Sequence, residues 1–263
     1  MKMVMLGTGH AHVTKCYNTC FALIDKGEVL LTDAGGGNGI LTRLETAGIR
    51  IADIRHLFVS HTHTDHILGA VWVVRLYLAG CLEQGFTGRM TVSGNQEVIR
   101  VLKWLCRTLI QSAYSDLIAR HIIFKELAED DVLQILGRRV RFFDIHGTTA
   151  AQYGFEMEYA AGKRFVFAGD EPYRPSGKRF LDGAEWAVLE ATVPYESDEN
   201  SHGHATIRSS CEDAERAGVK HLILTHTEDR DINNRKMLYE KEAARFFPGE
   251  VYVPDDLDVF EIC

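Results

Sequence analysis

The chain has 263 residues, 46% hydrophobic and 25% charged, an ordinary globular composition that excludes disorder and can build a sizeable core. A formal net charge of −8 and a pI of about 5.8 speak against a protein that coats nucleic acid. No run reaches the roughly 18 apolar residues of a membrane span, and six scattered cysteines without a CxxC pair read as reduced thiols of a cytoplasmic protein.

Met3–Leu6 predicts a short strand running into Gly7-Thr8-Gly9. His10 and His12 follow; each reads as a loop histidine or as a side chain approaching a site from the flank. Phe21–Ile24 and Val29–Thr32 predict a hairpin, because Asp25–Glu28 supplies polar residues and a glycine for the turn. Asp33-Ala34-Gly35-Gly36-Gly37 is then a tight turn, and Leu41–Ala47 a helix stopped by Gly48. No GxxxxGK[ST] and no GxGxxG opening a helix is present, which removes nucleotide binding by a phosphate loop.

His61-Thr62-His63-Thr64-Asp65-His66 lies between a β-prone run, 56–60, and an apolar run, 67–74, that predicts a helix. Four strong metal ligands within six residues exceed what a helix cap needs, and imidazoles with a carboxylate suit zinc. His61 and His63 can face one ion, Asp65 and His66 a second.

Further along, Met90–Ser93 predicts a strand and Asn95–Leu109 a helix. Val140–Ile145 predicts a strand that ends in His146, a third ligand or a loop histidine. Tyr153–Tyr159 and Arg164–Phe167 predict a hairpin ending in Asp170, whose two oxygens could bridge two ions. Arg174 follows, either a clamp on a substrate anion or a solvated loop arginine. Glu190 sits in the apolar strand Ala187–Thr192 and needs a partner there. His204 precedes the predicted helix Ile207–Ala217, and His226 ends the strand Leu222–Leu224.

The HxHxDH motif at His61, His63, Asp65 and His66, followed in order by His146, Asp170 and His226, resembles the metallo-β-lactamase superfamily across residues 7–226. Glu190-Ala191-Thr192 and Gly203-His204-Ala205-Thr206 resemble the HEAT and GHST elements of its tRNase Z-like phosphodiesterases, with Leu189 and Ala205 departing from the pattern. The resemblance implies an α/β four-layer αββα sandwich, with residues 1–263 as a single hydrolase domain. It implies two Zn2+ ions, or Mn2+ or iron, held by His61, His63 and His146 on one side and Asp65, His66 and His226 on the other. Asp170 would bridge them, and Asp33 would brace the ligand loop or serve as a plain turn aspartate. A shared hydroxide would attack phosphorus, and His204, oriented by Glu190, would protonate the leaving oxygen. Asp65 stands with His204 and Glu190 among the residues expected to act in catalysis.

The processing nuclease of that group inserts a long tRNA-gripping arm between the third-ligand histidine and the bridging aspartate. Residues 147–169 suffice only for a hairpin. A small phosphodiester is therefore the favoured substrate. tRNA 3′-processing remains an alternative, as does hydrolysis of a carbon ester, lactone, β-lactam or sulfate ester. A homodimer is expected only by analogy with the family.

Overall fold

The computed structural model describes residues 1–172, 178–192 and 203–263. Among them, two seven-stranded sheets form. The first contains β1 (Lys2–Gly7), β2 (Cys20–Asp25), β3 (Glu28–Thr32), β4 (Ile54–Phe58), β5 (Met90–Gly94) and β6 (Ile122–Glu126). The second contains β7 (Val132–Ile135), β8 (Arg138–Asp144), β9 (Tyr153–Ala160), β10 (Lys163–Phe167), β11 (Trp186–Glu190), β12 (His221–Thr225) and β13 (Glu250–Tyr252). The last strand, β14 (Val259–Glu261), returns to the first sheet beside β1.

The orders are β14-β1-β2-β3-β4-β5-β6 and β13-β12-β11-β10-β9-β8-β7. Each sheet is antiparallel in one half and parallel in the other: β3 to β6 run parallel, as do β10 to β13. The β2–β3 turn has Lys26 at φ +50° and Gly27 at φ +82°, the left-handed pair that matches the twist of a two-residue hairpin.

Strand side chains alternate between two environments. Met3, Met5, Phe21, Leu23, Leu30 and Phe58 enter the layer between the sheets, where they meet Phe142, Phe155, Phe165, Phe167, Val188 and Ile223. Their neighbours Val4, Leu6, Ala22, Leu31 and Leu57 face the other way, under α1 (Gly39–Thr46), α2 (Thr64–Glu83) and α3 (Gln96–Leu109). The short helices α4 (Ser112–Ser115) and α5 (Ile118–His121) add to that cover. On the second sheet Val166, Ala187, Leu189, Leu222 and Leu224 pack under α6 (Lys178–Leu181), α7 (Ile207–Ala217) and α8 (Arg235–Ala243). Strands buried on both faces are apolar throughout, and the result is the expected αββα sandwich.

By length and hydropathy α2 could cross a membrane. It is a core helix instead, with Ile67, Ala70, Val73, Val74, Tyr77 and Leu78 buried against the first sheet. The helix also begins earlier than its apolar run suggests. Asp65 and His66 lie in its first turn, and His63 is the N-cap in extended conformation. An acidic residue in a first turn is favoured by the unpaired N–H groups there, so the metal-type motif doubles as the helix start.

Candidate metal centre

The site gathers where strands of both sheets end. Asp33 follows β3, the run from Ser60 to His63 follows β4, His146 follows β8, Asp170 follows β10, Glu190 ends β11 and His226 follows β12. Asp33, His146 and His226 have positive φ, at +55°, +58° and +57°. Non-glycine residues resist that conformation, and three of them in one site mark backbone held in place by its surroundings. Gly69 allows α2 to approach the Asp33 turn: a Cβ there would lie 1.8 Å from the Ala34 carbonyl oxygen. In that close contact the Gly69 N–H donates to Gly35 O and the Ala34 N–H to His66 O.

Five side chains converge. Asp170 Oδ2 lies 3.5 Å from His61 Nε2 and 3.3 Å from both His66 Nε2 and His226 Nε2. Asp65 Oδ2 lies 3.3 Å from His66 Nε2 and 3.6 Å from His226 Nε2. All five are buried. Burial opposes ionisation of Asp170, yet the three imidazoles hold its carboxyl well below the usual range. Burial keeps His61 neutral, with its pKa lowered to about 3.

Each of the three imidazoles is oriented from behind. Ser60 Oγ donates to Asp33 Oδ2 at 2.8 Å and therefore accepts from His61 Nδ1, 2.9 Å away. His66 Nδ1 lies 2.9 Å from Asp33 Oδ2, and His226 Nδ1 lies 2.8 Å from Thr192 Oγ1. These contacts use the Nδ1 side of each ring and turn Nε2 toward the cluster. Against burial, Asp170 and Asp33 hold the pKa of His66 well above its usual value, and hydrogen bonds to Asp65 and Glu190 raise that of His226 to about 9, so a cation bound at their Nε2 atoms would displace a proton. In the cluster, His61 Nε2, His66 Nε2, His226 Nε2 and Asp170 Oδ1 are buried without a hydrogen-bond partner. Buried polar atoms are seldom left so, and three ring nitrogens gathered round a carboxylate are a donor set that fits cations. Nitrogen and carboxylate donors suit zinc or a similar divalent ion.

Two expected ligands stand at the rim. His63 is half-buried, its ring 4.4 Å from that of His61, and its Nε2 is 3.5 Å from Thr149 Oγ1. His146 is exposed; its N–H donates to Asp144 Oδ1 at 2.7 Å and its Nδ1 lies 3.7 Å from Asp144 Oδ2. Among the described residues neither joins the buried groups formed by His61, His66 and Asp170 and by Asp65, His66 and His226. Arg174 lies outside the described residues.

Beside the cluster, His204 Nδ1 lies 2.9 Å from Glu190 Oε2, and the His204 and His226 rings are 5.1 Å apart. Glu190 is buried, and its Oε1 accepts the Ala205 N–H at 2.8 Å. The hydrogen bond to Glu190 raises the pKa of His204 above its usual value, against burial. His10 closes the flank. Its N–H donates to Thr227 O and its ring is 6.1 Å from that of His226. Burial, together with His226, His12 and His204, lowers its pKa to about 4, so it is neutral.

The sequence patterns assign no role to Ser60 or Thr192. The signal for Ser60 is its position next to His61, and for Thr192 its place as the last residue of the Glu190-Ala191-Thr192 element.

The chain is 25% identical to the Ribonuclease Z of Methanothermobacter thermautotrophicus over 309 aligned positions, covering 100% of this chain and 97% of the relative. This chain has 263 residues, so the relative carries segments that it lacks. The metallo-β-lactamase fold protein YhfI from Bacillus subtilis superposes with a TM-score of 0.81 at 18% identity, over 98% of each chain. A diphosphatase of the PhnP family does so at 0.73 and 18%, over 100% of this chain and 98% of its own. These two likenesses speak for the fold. The family profile described as Anti-Pycsar protein Apyc1 matches residues 1–237, and the chain therefore belongs to that family, as a metal-dependent hydrolase of the metallo-β-lactamase superfamily.

Proposed function

We propose that the protein hydrolyses a small phosphodiester, such as a cyclic nucleotide or a cyclic sugar phosphate, at a two-zinc site. His61, His63 and His146 would hold one ion, Asp65, His66 and His226 the other, with Asp170 between them. When bound, such ions supply Lewis acidity that lowers the pKa of water and offsets charge gathering on phosphoryl oxygens. The chain itself supplies the proton. As water adds to phosphorus and the P–O bond to the leaving group breaks, His204 passes its Nε2 proton to the departing oxygen. Glu190 holds the Nδ1 side and favours the charged ring.

The observation that carries this reading is the His204–Glu190 pair beside the cluster. An alkoxide leaving group needs a proton, whereas a carbonyl substrate with a good leaving group needs less help. Between His146 and Asp170 the chain has one loop and the β9–β10 hairpin, which supports a small substrate over tRNA. The test is an initial-rate comparison of bis-p-nitrophenyl phosphate and cyclic nucleotides with nitrocefin and a lactone. Turnover of the last two alone would end the phosphodiesterase reading.

A second reading, tRNA 3′-processing, draws on the identity to Ribonuclease Z. Endonucleolytic cleavage of a precursor tRNA, at rates above those on any small diester, would favour it.

A further inference from the structure

The hydroxyl of Thr192 touches both halves of the site. Its Oγ1 lies 2.8 Å from Glu190 Oε2, 2.8 Å from His226 Nδ1 and 2.8 Å from His226 O. Thr192 and Glu190 are buried, so no bulk water stands in for these contacts. A hydroxyl has one proton and two lone pairs. With the hydroxyl proton used on a carbonyl or carboxylate oxygen, Thr192 Oγ1 accepts from His226 Nδ1, which carries a proton both in the charged ring and when Nε2 holds a cation. Of the hydroxyl's two possible acceptors, Glu190 Oε2 and His226 O, the carboxylate oxygen is the stronger and takes the Thr192 proton. Glu190 Oε2 also accepts from His204 Nδ1 at 2.9 Å. The chain of contacts is therefore His226, Thr192, Glu190, His204, each within hydrogen-bond distance of the next.

We propose that Thr192 is a positioning residue that couples the two functions: one hydroxyl fixes the His226 ring toward the metals and the Glu190 carboxylate toward His204. This rests on the phosphodiesterase reading for its Glu190 half only. His226 has φ +57°, a conformation that a non-glycine residue keeps only where its surroundings hold it, and its carbonyl oxygen also lies 2.8 Å from Thr192 Oγ1. Valine in place of Thr192 keeps the shape but leaves His226 Nδ1–H without an acceptor and Glu190 Oε2 one donor short. Serine keeps the hydroxyl.

The test compares Thr192→Val and Thr192→Ser with the wild type in two measurements on the zinc-loaded protein. The first is zinc retention against a chromogenic chelator. The second is turnover of methyl p-nitrophenyl phosphate and methyl phenyl phosphate, whose leaving groups differ in their need for a proton. Thr192→Val should lose zinc at about ten-fold lower chelator concentration, the usual scale for a partner behind a ligand. It should also lose about ten-fold more rate on the phenyl ester than on the nitrophenyl ester. Thr192→Ser should restore both. Wild-type zinc retention in Thr192→Val, or an unchanged ratio of the two esters in an active variant, overturns the coupling. If Thr192→Val does not fold, Thr192→Ser alone decides, since a loss in either measurement contradicts the proposal. If the wild type cleaves neither ester, the phosphodiesterase reading fails by itself, and zinc retention still decides whether Thr192 holds His226.

Discussion

Asp33 Oδ2 lies 2.9 Å from His66 Nδ1, and the same carboxylate takes both the N–H and the hydroxyl of Ser60 at 2.8 Å. Through Ser60 it also sets the ring of His61, so one buried acid orients two of the converging histidines. Asp33→Asn isolates this charge, because asparagine also tolerates the positive φ found there. The amide has only one oxygen for three donors. Zinc affinity should fall about 10–100-fold with the fold retained, as measured by chelator competition and circular dichroism. Unchanged affinity would remove Asp33 from the site.

The two halves of the centre differ in readiness. Asp65, His66, His226 and Asp170 are buried and converged, whereas His63 and His146 stand at the rim. Calorimetric titration of the metal-free protein should therefore show one tight and one weaker zinc. His146→Ala should abolish the weaker event and spare the tight one. Two events of equal affinity, both lost in that variant, would contradict this asymmetry.

His204 gains its proton affinity from the hydrogen bond to Glu190, which outweighs burial. A raised pKa keeps the donor protonated to higher pH, and donor activity is lost as pH rises through that value. Glu190→Gln should therefore move the alkaline limb of the kcat/KM profile to lower pH. Both Glu190→Gln and His204→Ala should cost about 10²–10⁴-fold in turnover of a diester with a poor leaving group. An unmoved alkaline limb in an active Glu190→Gln enzyme would count against the assignment.

Gly69 lets α2 lie against the Asp33 turn, where a Cβ would fall 1.8 Å from Ala34 O. Gly69→Ala should destabilise the fold by about 1–3 kcal/mol in denaturant unfolding. Gly37→Ala is the control, since a Cβ there meets nothing within 4 Å. Equal effects of the two substitutions would show that the close approach is not tight.

The strands and helices with strong local patterns could be read from the chain alone. The β2–β3 hairpin carries its own turn glycine, and α7 its own cap at Thr206, closed by Gly218 at φ +68°. The candidate cation-binding run was legible for the same reason: four side chains able to bind a metal within six residues are a local pattern. The edge strands β7 and β13, the returning β14 and helix α8 were not, because three or four residues of mixed character become a strand only when a neighbour supplies hydrogen bonds. The orientation of the ligands was not legible either. His66 meets Asp33 across 33 positions and His226 meets Thr192 across 34, and His10 reaches His226 only because Gly9 bridges to Thr227. Local composition determines which side chains can bind a cation. Which nitrogen of each ring faces it depends on hydrogen bonds between distant segments, and only packing the two sheets together brings those partners within reach.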